Sequence, residues 1–381
     1  MGARQGHVLR KTPVHGVDPC PDDGRRGSRA ASGRHAGRRP GQLVAVSGDR
    51  TTVVAATAET SEAHVATDIK AGVLPWGQYT DWPSLRDAGR RADQLGYDSL
   101  WTWDHLYPIQ GDWRGPIFEG YMILAGWAAV TSRATLGLMV GANTFRNPAL
   151  VVKLVTTLDH MSDGRAVLGI GGAWFGREHE AYGIDFGSGF GERLDWLDEA
   201  VELMRSMLHG EEATARGPRY RATNVRNDPA PLQEHLPILI GGDGEKKTLH
   251  TVAKYADAWN TGGDLDFVRH KDEVLRRWCE EVGRDESEIE RTLGLGLVVI
   301  RDSRGDAERY VEEVQRRHPG YDDPPKIGTS EEIADSLVPY VELGFRHIFY
   351  DLTAPFDAET LERFVTEVKP ALASGVGAAP R

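Results

Sequence analysis

The chain of 381 residues predicts a single (β/α)8 barrel, with loop insertions after its fourth strand and before its fifth. Three observations carry that expectation. From residue 69 onward, eight short apolar runs alternate with segments whose apolar residues recur at helical spacing. The runs are continuously apolar rather than alternating, which is how strands buried on both faces of a parallel sheet read. No GxGxxG turn follows the first run, where an open, doubly wound sheet would usually carry one; Leu74-Pro75-Trp76-Gly77 stands there instead. About 310 residues also suits a closed barrel with insertions.

The elements follow in order. Ile69–Leu74 is the first strand. Asp81 opens a helix with Pro83 in its first turn; Leu85, Ala88, Ala92 and Leu95 share one face, and Gly96 ends it. Ser99–Trp103 is the second strand and Ala134–Val140 the third. Asn147-Pro148 then caps and starts a helix striped by Leu150, Val151, Leu154, Val155, Leu158 and Met161. Ala166–Ile170 is the fourth strand, followed by a long loop, Gly171–Gly191, and a helix from about Glu192 to Leu208. A second insertion, Gly210–His235, precedes the fifth strand, Pro237–Ile240, whose helix runs from about Glu245 to Tyr255. Ala258–Asn260 is the sixth strand, with a helix near Phe267–Val282, and Thr292–Ile300 is the seventh. Thr329 and Glu332 form a capping box for a helix ending at Gly344. Phe345–Tyr350 is the eighth strand, and a last helix covers about Ala358 to Ala371.

The barrel domain is thus expected over residues 69–373, with a flexible tail at 374–381. Residues 1–68 read differently. All 31 aromatic residues lie beyond residue 75, and the run from Asp22 to Gly41 is rich in Arg, Gly, Ser and Pro. Such a segment buries little surface and is expected to be a disordered or non-native leader. A twin-arginine export signal is disfavoured, because Asp49 and Arg50 interrupt the apolar stretch that follows. No membrane partner is expected.

The charge distribution excludes one class of function. The chain carries a net −12, but residues 1–41 hold nine Lys/Arg against three Asp/Glu, so the remainder carries −18. An acidic body argues against a nucleic-acid partner, which needs a basic face. Two cysteines, Cys20 and Cys279, form no ligand pattern, which points to a reducing, cytoplasmic setting without structural metal.

In a barrel the loops after the strands build the site. Asp104-His105 stands where the second strand ends, and an imidazole there can take or give a proton. The plainer reading is a histidine that caps a helix or satisfies a loop carbonyl. After the third strand, Met139, Val140, Gly141 and Asn143 supply a backbone surface in the barrel mouth. After the fourth, Gly171 and Gly172 let a flat ligand approach, and Trp174 covers an aromatic ring or simply closes the mouth. After the fifth, Gly241, Gly242, Asp243 and Gly244 lead straight into a helix, where free N–H groups favour a phosphate; an ordinary βα turn is the alternative. Arg177-Glu178-His179-Glu180 is not HExxH, no GxSxG occurs, and no Lys sits convincingly at a strand end.

An ordered set of motifs resembles the luciferase-like monooxygenase family, in its F420-dependent branch. The set comprises Leu95–Trp101 with Asp104-His105; Thr144–Leu150; Thr157-Leu158-Asp159 with Ser162–Arg165; Leu168–Gly171; Glu178-His179 with Tyr182-Gly183; Ile240-Gly241-Gly242 with Ala256–Asn260; and Ile327-Gly328-Thr329. The resemblance implies coenzyme F420, with FMN the alternative, and a hydride exchanged with a small organic substrate. The runner-up activity is an FMNH2-dependent monooxygenase using O2. The resemblance further implies His105 as the site imidazole, Asp104 as a neighbour contacting the cofactor, and a non-proline cis peptide at Met139–Val140 backing its ring. It puts the cofactor phosphate on Gly241–Gly244, and many members are homodimers. One departure stands out. Relatives acting on a sugar phosphate or an alcohol can carry a glutamate just after the fourth-strand glycines, as proton donor, and Trp174 occupies that place here.

Overall fold

Eight parallel strands close on one another in chain order in the computed structural model, which describes residues 69–317 and 324–375. They are β1 (Lys70–Pro75), β2 (Ser99–Thr102), β3 (Thr135–Leu138), β4 (Ala166–Gly171), β5 (Ile238–Gly241), β6 (Ala258–Thr261), β7 (Glu290–Ile300) and β8 (Phe345–Leu352). The ring is closed because β1 pairs with both β2 and β8, with Val73 opposite Leu100 on one side and Tyr350 on the other. The expected leader at 1–68 lies outside the described residues, as does nearly all of the tail.

Helices cover the outside: α1 (Trp82–Leu95), α2 (Gly120–Ala128), α3 (Pro148–Met161), α4 (Gly176–Tyr182), α5 (Phe190–Leu208), α6 (Thr248–Tyr255), α7 (Leu265–Val282), α8 (Arg304–Arg317) and α9 (Ser330–Glu342). A terminal helical segment, Ala358–Gly375, contains a π turn over Phe364–Val368. Among the described residues no helix is long and apolar enough to cross a membrane.

Several local signals act as the sequence predicts. Asp81 accepts from the Ser84 N–H at the start of α1, and Gly96 closes that helix at φ 93°. Thr329 and Glu332 form the reciprocal capping box of α9. Gly89 is required by packing: a Cβ there would lie 2.4 Å from the indole nitrogen of Trp127, which donates to the Leu85 carbonyl. The buried Asp159 carboxylate accepts from the Leu232 and Gln233 N–H groups and so ties the second insertion to α3.

Three helices escape the sequence reading. α2 buries Tyr121, Ile123, Leu124, Trp127 and Ala128 around most of its circumference, so no helical period shows, and its N-cap is Glu119. α4 is only seven residues long. α8 buries just Ala307, Val311 and Val314 on an otherwise charged surface. The second insertion contains an antiparallel hairpin, Ala213–Arg216 with Arg221–Val225. Strand three, expected to run to Val140, leaves the ladder at Leu138, and Gly141–Ala142 then pairs again with β4.

Candidate active site

The C-terminal ends of the strands surround a cavity of about 280 Å³, and a second hollow of about 300 Å³ shares Trp103, Met139, Gly242 and Asn260 with it. His105 lines the first cavity where the chain leaves β2. Its Nδ1 lies 3.0 Å from Oε1 of Glu178, whose other oxygen accepts from the Leu106 N–H at 2.9 Å. Glu178 is 1% exposed, held on α4 in the insertion after β4. A buried carboxylate facing Nδ1 selects the tautomer with the proton there. Nε2 then has no protein partner among the described residues, so it is the nitrogen left to exchange a proton with a ligand.

Asp104 also lines the cavity, but its oxygens are already engaged. Arg146 grips it with two bonds of 2.7 and 2.9 Å, and the Ala142 N–H donates to it at 2.8 Å. Arg146 reaches on to Glu119 at 2.6 Å, the residue that caps α2. Burial alone would lower the Arg146 pKa, but Asp104 and Glu119 hold it above the ordinary value. In this arrangement Asp104 fixes the segment after β3 rather than offering a free carboxylate to a cofactor.

That segment contains the cis peptide between Met139 and Val140 that the resemblance implies, and both residues line the cavity with Gly141. The glycines around it have a different purpose from the one expected. A Cβ on Gly171 would meet Val140 Cγ2 at 2.7 Å, and one on Gly241 would meet Val140 Cγ1 at 2.9 Å. Gly172 makes room for Leu194 in the same way. These three accommodate protein side chains, while their backbones face the cavity. Asn143 does not line it. Its side chain is buried, and its backbone bonds the Gly171 carbonyl and the Tyr220 hydroxyl.

The turn after β5 is less directly joined to its helix than the sequence suggests. α6 begins at Thr248, not Glu245, after an intervening turn. Gly242, at φ 125°, bonds its own N–H to the Asn260 carbonyl. The N–H groups of Asp243, Gly244, Glu245 and Lys246 have no partner among the described residues, so an anion there would meet free donors. Asp243 lines the second hollow, where its carboxylate accepts from the Thr261 hydroxyl at 2.5 Å. Gly244 lines neither hollow.

Trp174 is 60% exposed and stands edge-on to His105, with ring centroids 5.6 Å apart. Phe190, 52% exposed, joins it on the wall. Sequence reasoning passed over Phe190 and Asn260 as site residues and gave Glu178 no role. Glu178 is 73 positions from His105, and no spacing rule links a strand-end histidine to a short helix in a later loop. Among the described residues no group of three or more His, Cys, Asp or Glu side chains is placed to hold a metal.

The model of the family described as luciferase-like monooxygenase matches residues 53–326. The chain belongs to this family. Within it, an F420-dependent glucose-6-phosphate dehydrogenase of Kineococcus radiotolerans is 28% identical over 325 residues, covering 76% of this chain and 92% of that protein. Among solved structures, an F420-dependent secondary alcohol dehydrogenase with an F420–acetone adduct superposes with a TM-score of 0.69 at 18% identity, covering 80% of this chain and 99% of the other. A riboflavin lyase with modified FMN gives the same TM-score at 15% identity, covering 82% and 93%. At such identities the two structures speak for the luciferase-like barrel alone.

The luciferase-like site gives a first prediction. Glu178→Gln has one acceptor oxygen for two donors, the His105 ring and the Leu106 N–H. We expect kcat to fall at least about tenfold while the fold is kept, because the His105 ring loses its fixed orientation. Nitrogen NMR should show His105 changing from one ring tautomer to a mixture. An unchanged tautomer would remove Glu178 from the site's working parts.

Proposed function

We propose that this protein is an oxidoreductase using coenzyme F420, with His105 exchanging a proton with the oxygen of a small organic substrate. The observation that carries the reading is the His105–Glu178 pair, which leaves Nε2 without a protein partner in a ring that lines the strand-end cavity. The 28% identity to an F420-dependent dehydrogenase across three-quarters of the chain supports F420 over FMN.

The residues present fit such a cofactor. The two hollows share four lining residues at the barrel mouth, where ligand sites lie in this fold. Met139, Val140 and Gly141 form a wall against which a flat ring packs, and the free N–H of Asp243, which lines the second hollow, suits a phosphate. Bound there, F420 would supply the hydride chemistry through its deazaflavin ring. The protein's own part is to orient and to move a proton. As an alcohol becomes a carbonyl, His105 Nε2 accepts the hydroxyl proton, and it returns that proton in the reverse direction. Glu178 stabilises the imidazolium so formed, and Trp174 and Phe190 shield the reacting atoms from water.

The test is a titration of the purified protein with F420 and, separately, with FMN. F420 should bind at least about tenfold more tightly, a difference of roughly 1.4 kcal/mol. Tighter FMN binding would replace this reading with the flavin-dependent monooxygenase. Placement of the phosphate is checked with Gly242→Ala. At φ 125° an L side chain is strained and its Cβ would lie 3.3 Å from Thr248 Cγ2, so the turn must shift and its donors re-aim. F420 affinity should fall by about tenfold or more. Native affinity in a variant with native circular dichroism would move the phosphate elsewhere.

A further inference from the structure

We infer that the substrate taken up beside His105 is an uncharged molecule with an aromatic or alicyclic body and a hydroxyl or carbonyl oxygen, not a sugar phosphate. The inference rests on the reading of His105 as the proton-exchanging group. It goes beyond that reading by fixing what the rest of the pocket can recognise.

A phosphoryl group is held by cations and convergent donors, most strongly by arginine. No Lys or Arg is among the described residues that line the cavity around His105. Three cations bonded to residues in or beside its walls are committed to protein groups, and Arg177, next to Glu178, lies 4.3 Å over the Trp113 ring. Arg146 is bound by Asp104 and Glu119. Arg193 donates to the Ala173 and Phe186 carbonyls, with its guanidinium 3.7 Å from the Phe186 ring centroid. Lys247 is paired with Asp195 and the Gly191 carbonyl. The carboxylates that do line the cavity, Asp104 and Glu178, are both buried and would repel a dianion. The residues that carry the free N–H groups after β5, Asp243–Lys246, do not line this cavity.

What the cavity offers beside His105 is apolar. Trp174, Phe190, Trp103 and Ile109 line it, and the first two keep about half or more of their surface exposed. Large aromatic side chains left open beside a proton-exchanging group offer stacking and apolar contact to a ligand that covers them. Of the polar side chains on the wall, Asp104 and Glu178 are taken up by protein partners and the Asn260 amide nitrogen donates to Thr292. His105 Nε2 is open to a substrate oxygen. Trp174 is central to this, since it is the most exposed of these four side chains and stands edge-on to the His105 ring.

The experiment uses the full chain, first without cofactor and then with F420 added. Calorimetry with 1-phenylethanol, cyclohexanol and glucose 6-phosphate should show at least one of the two alcohols binding about tenfold or more tightly than the sugar phosphate. Trp174→Ala and Phe190→Ala, both at exposed positions that leave the core intact, should each weaken that alcohol by about fivefold or more. Tighter glucose 6-phosphate binding, no binding of either alcohol, or alcohol affinity unchanged in both variants would overturn the inference. The F420 titration keeps the two readings apart. Alcohol binding without F420 binding would retain the substrate class and discard the cofactor; F420 binding with preferred glucose 6-phosphate would do the reverse.

Discussion

His105→Ala is expected to lower turnover by about 10²–10⁴ while leaving the melting temperature within a few degrees of the parent protein. The size follows from the loss of an acid–base group positioned in the cavity, and the small stability effect follows from its place at the rim. His105 is partly exposed, and its imidazole bonds one protein group, Glu178. Removing it leaves Glu178 with the Leu106 N–H, and water can enter from the cavity to solvate the freed oxygen. Initial rates with saturating F420 and a substrate that supports turnover by the parent protein give the measurement. His105→Gln, which keeps hydrogen bonding but not proton exchange, should be nearly as slow. A turnover within threefold of the parent protein in both variants would place the proton-exchanging group elsewhere on the wall.

Arg146→Leu should destabilise the protein by about 3–5 kcal/mol, because it leaves a buried carboxylate without its cation. Asp104 is 1% exposed along its side chain and would retain only the Ala142 N–H. For a domain of this size the loss corresponds to a fall in melting temperature on the order of 10 °C. The double variant Asp104→Asn with Arg146→Leu should recover a large part of that loss, since the uncompensated charge is gone; such non-additivity is the signature of a coupled pair. Thermal unfolding followed by circular dichroism decides it. Single and double variants that simply add would mean that Arg146 acts through its contact with Glu119 or over the Tyr121 ring instead.

How far the sequence carried depended on whether the controlling interaction was local. β1, β2, β4, β5, β6 and β8 were legible because each is a short apolar run between turn residues. α1, α3 and α9 announced their ends through Asp81, Asn147 and Thr329. α2 was missed because a helix buried around most of its surface has no polar face to set a period. α8 was missed for the opposite reason, a stripe of three apolar residues among charges. At the site, His105 and the glycine turns could be found by position at strand ends. The pairing of Glu178 with His105, and of Asp104 with Arg146, depends on loops brought together only by the closed barrel. No local pattern encodes such contacts. Likewise, Gly171 and Gly241 suggested open room for a ligand, whereas the room is filled by Val140.

That last arrangement bears on how the sequence can drift. The two methyl groups of Val140 occupy the volumes in which Cβ atoms on Gly171 and Gly241 would sit, at 2.7 and 2.9 Å. A mutation to alanine at either glycine therefore meets a steric block set by a residue on a different strand-end loop. Trimming Val140 first would lift the block at Gly241 and ease it at Gly171, where the Gly241 carbonyl at 3.3 Å stays close. The three sites are thus linked by order of substitution: enlarging 241, and in part 171, is expected to be tolerated more readily once 140 has shrunk.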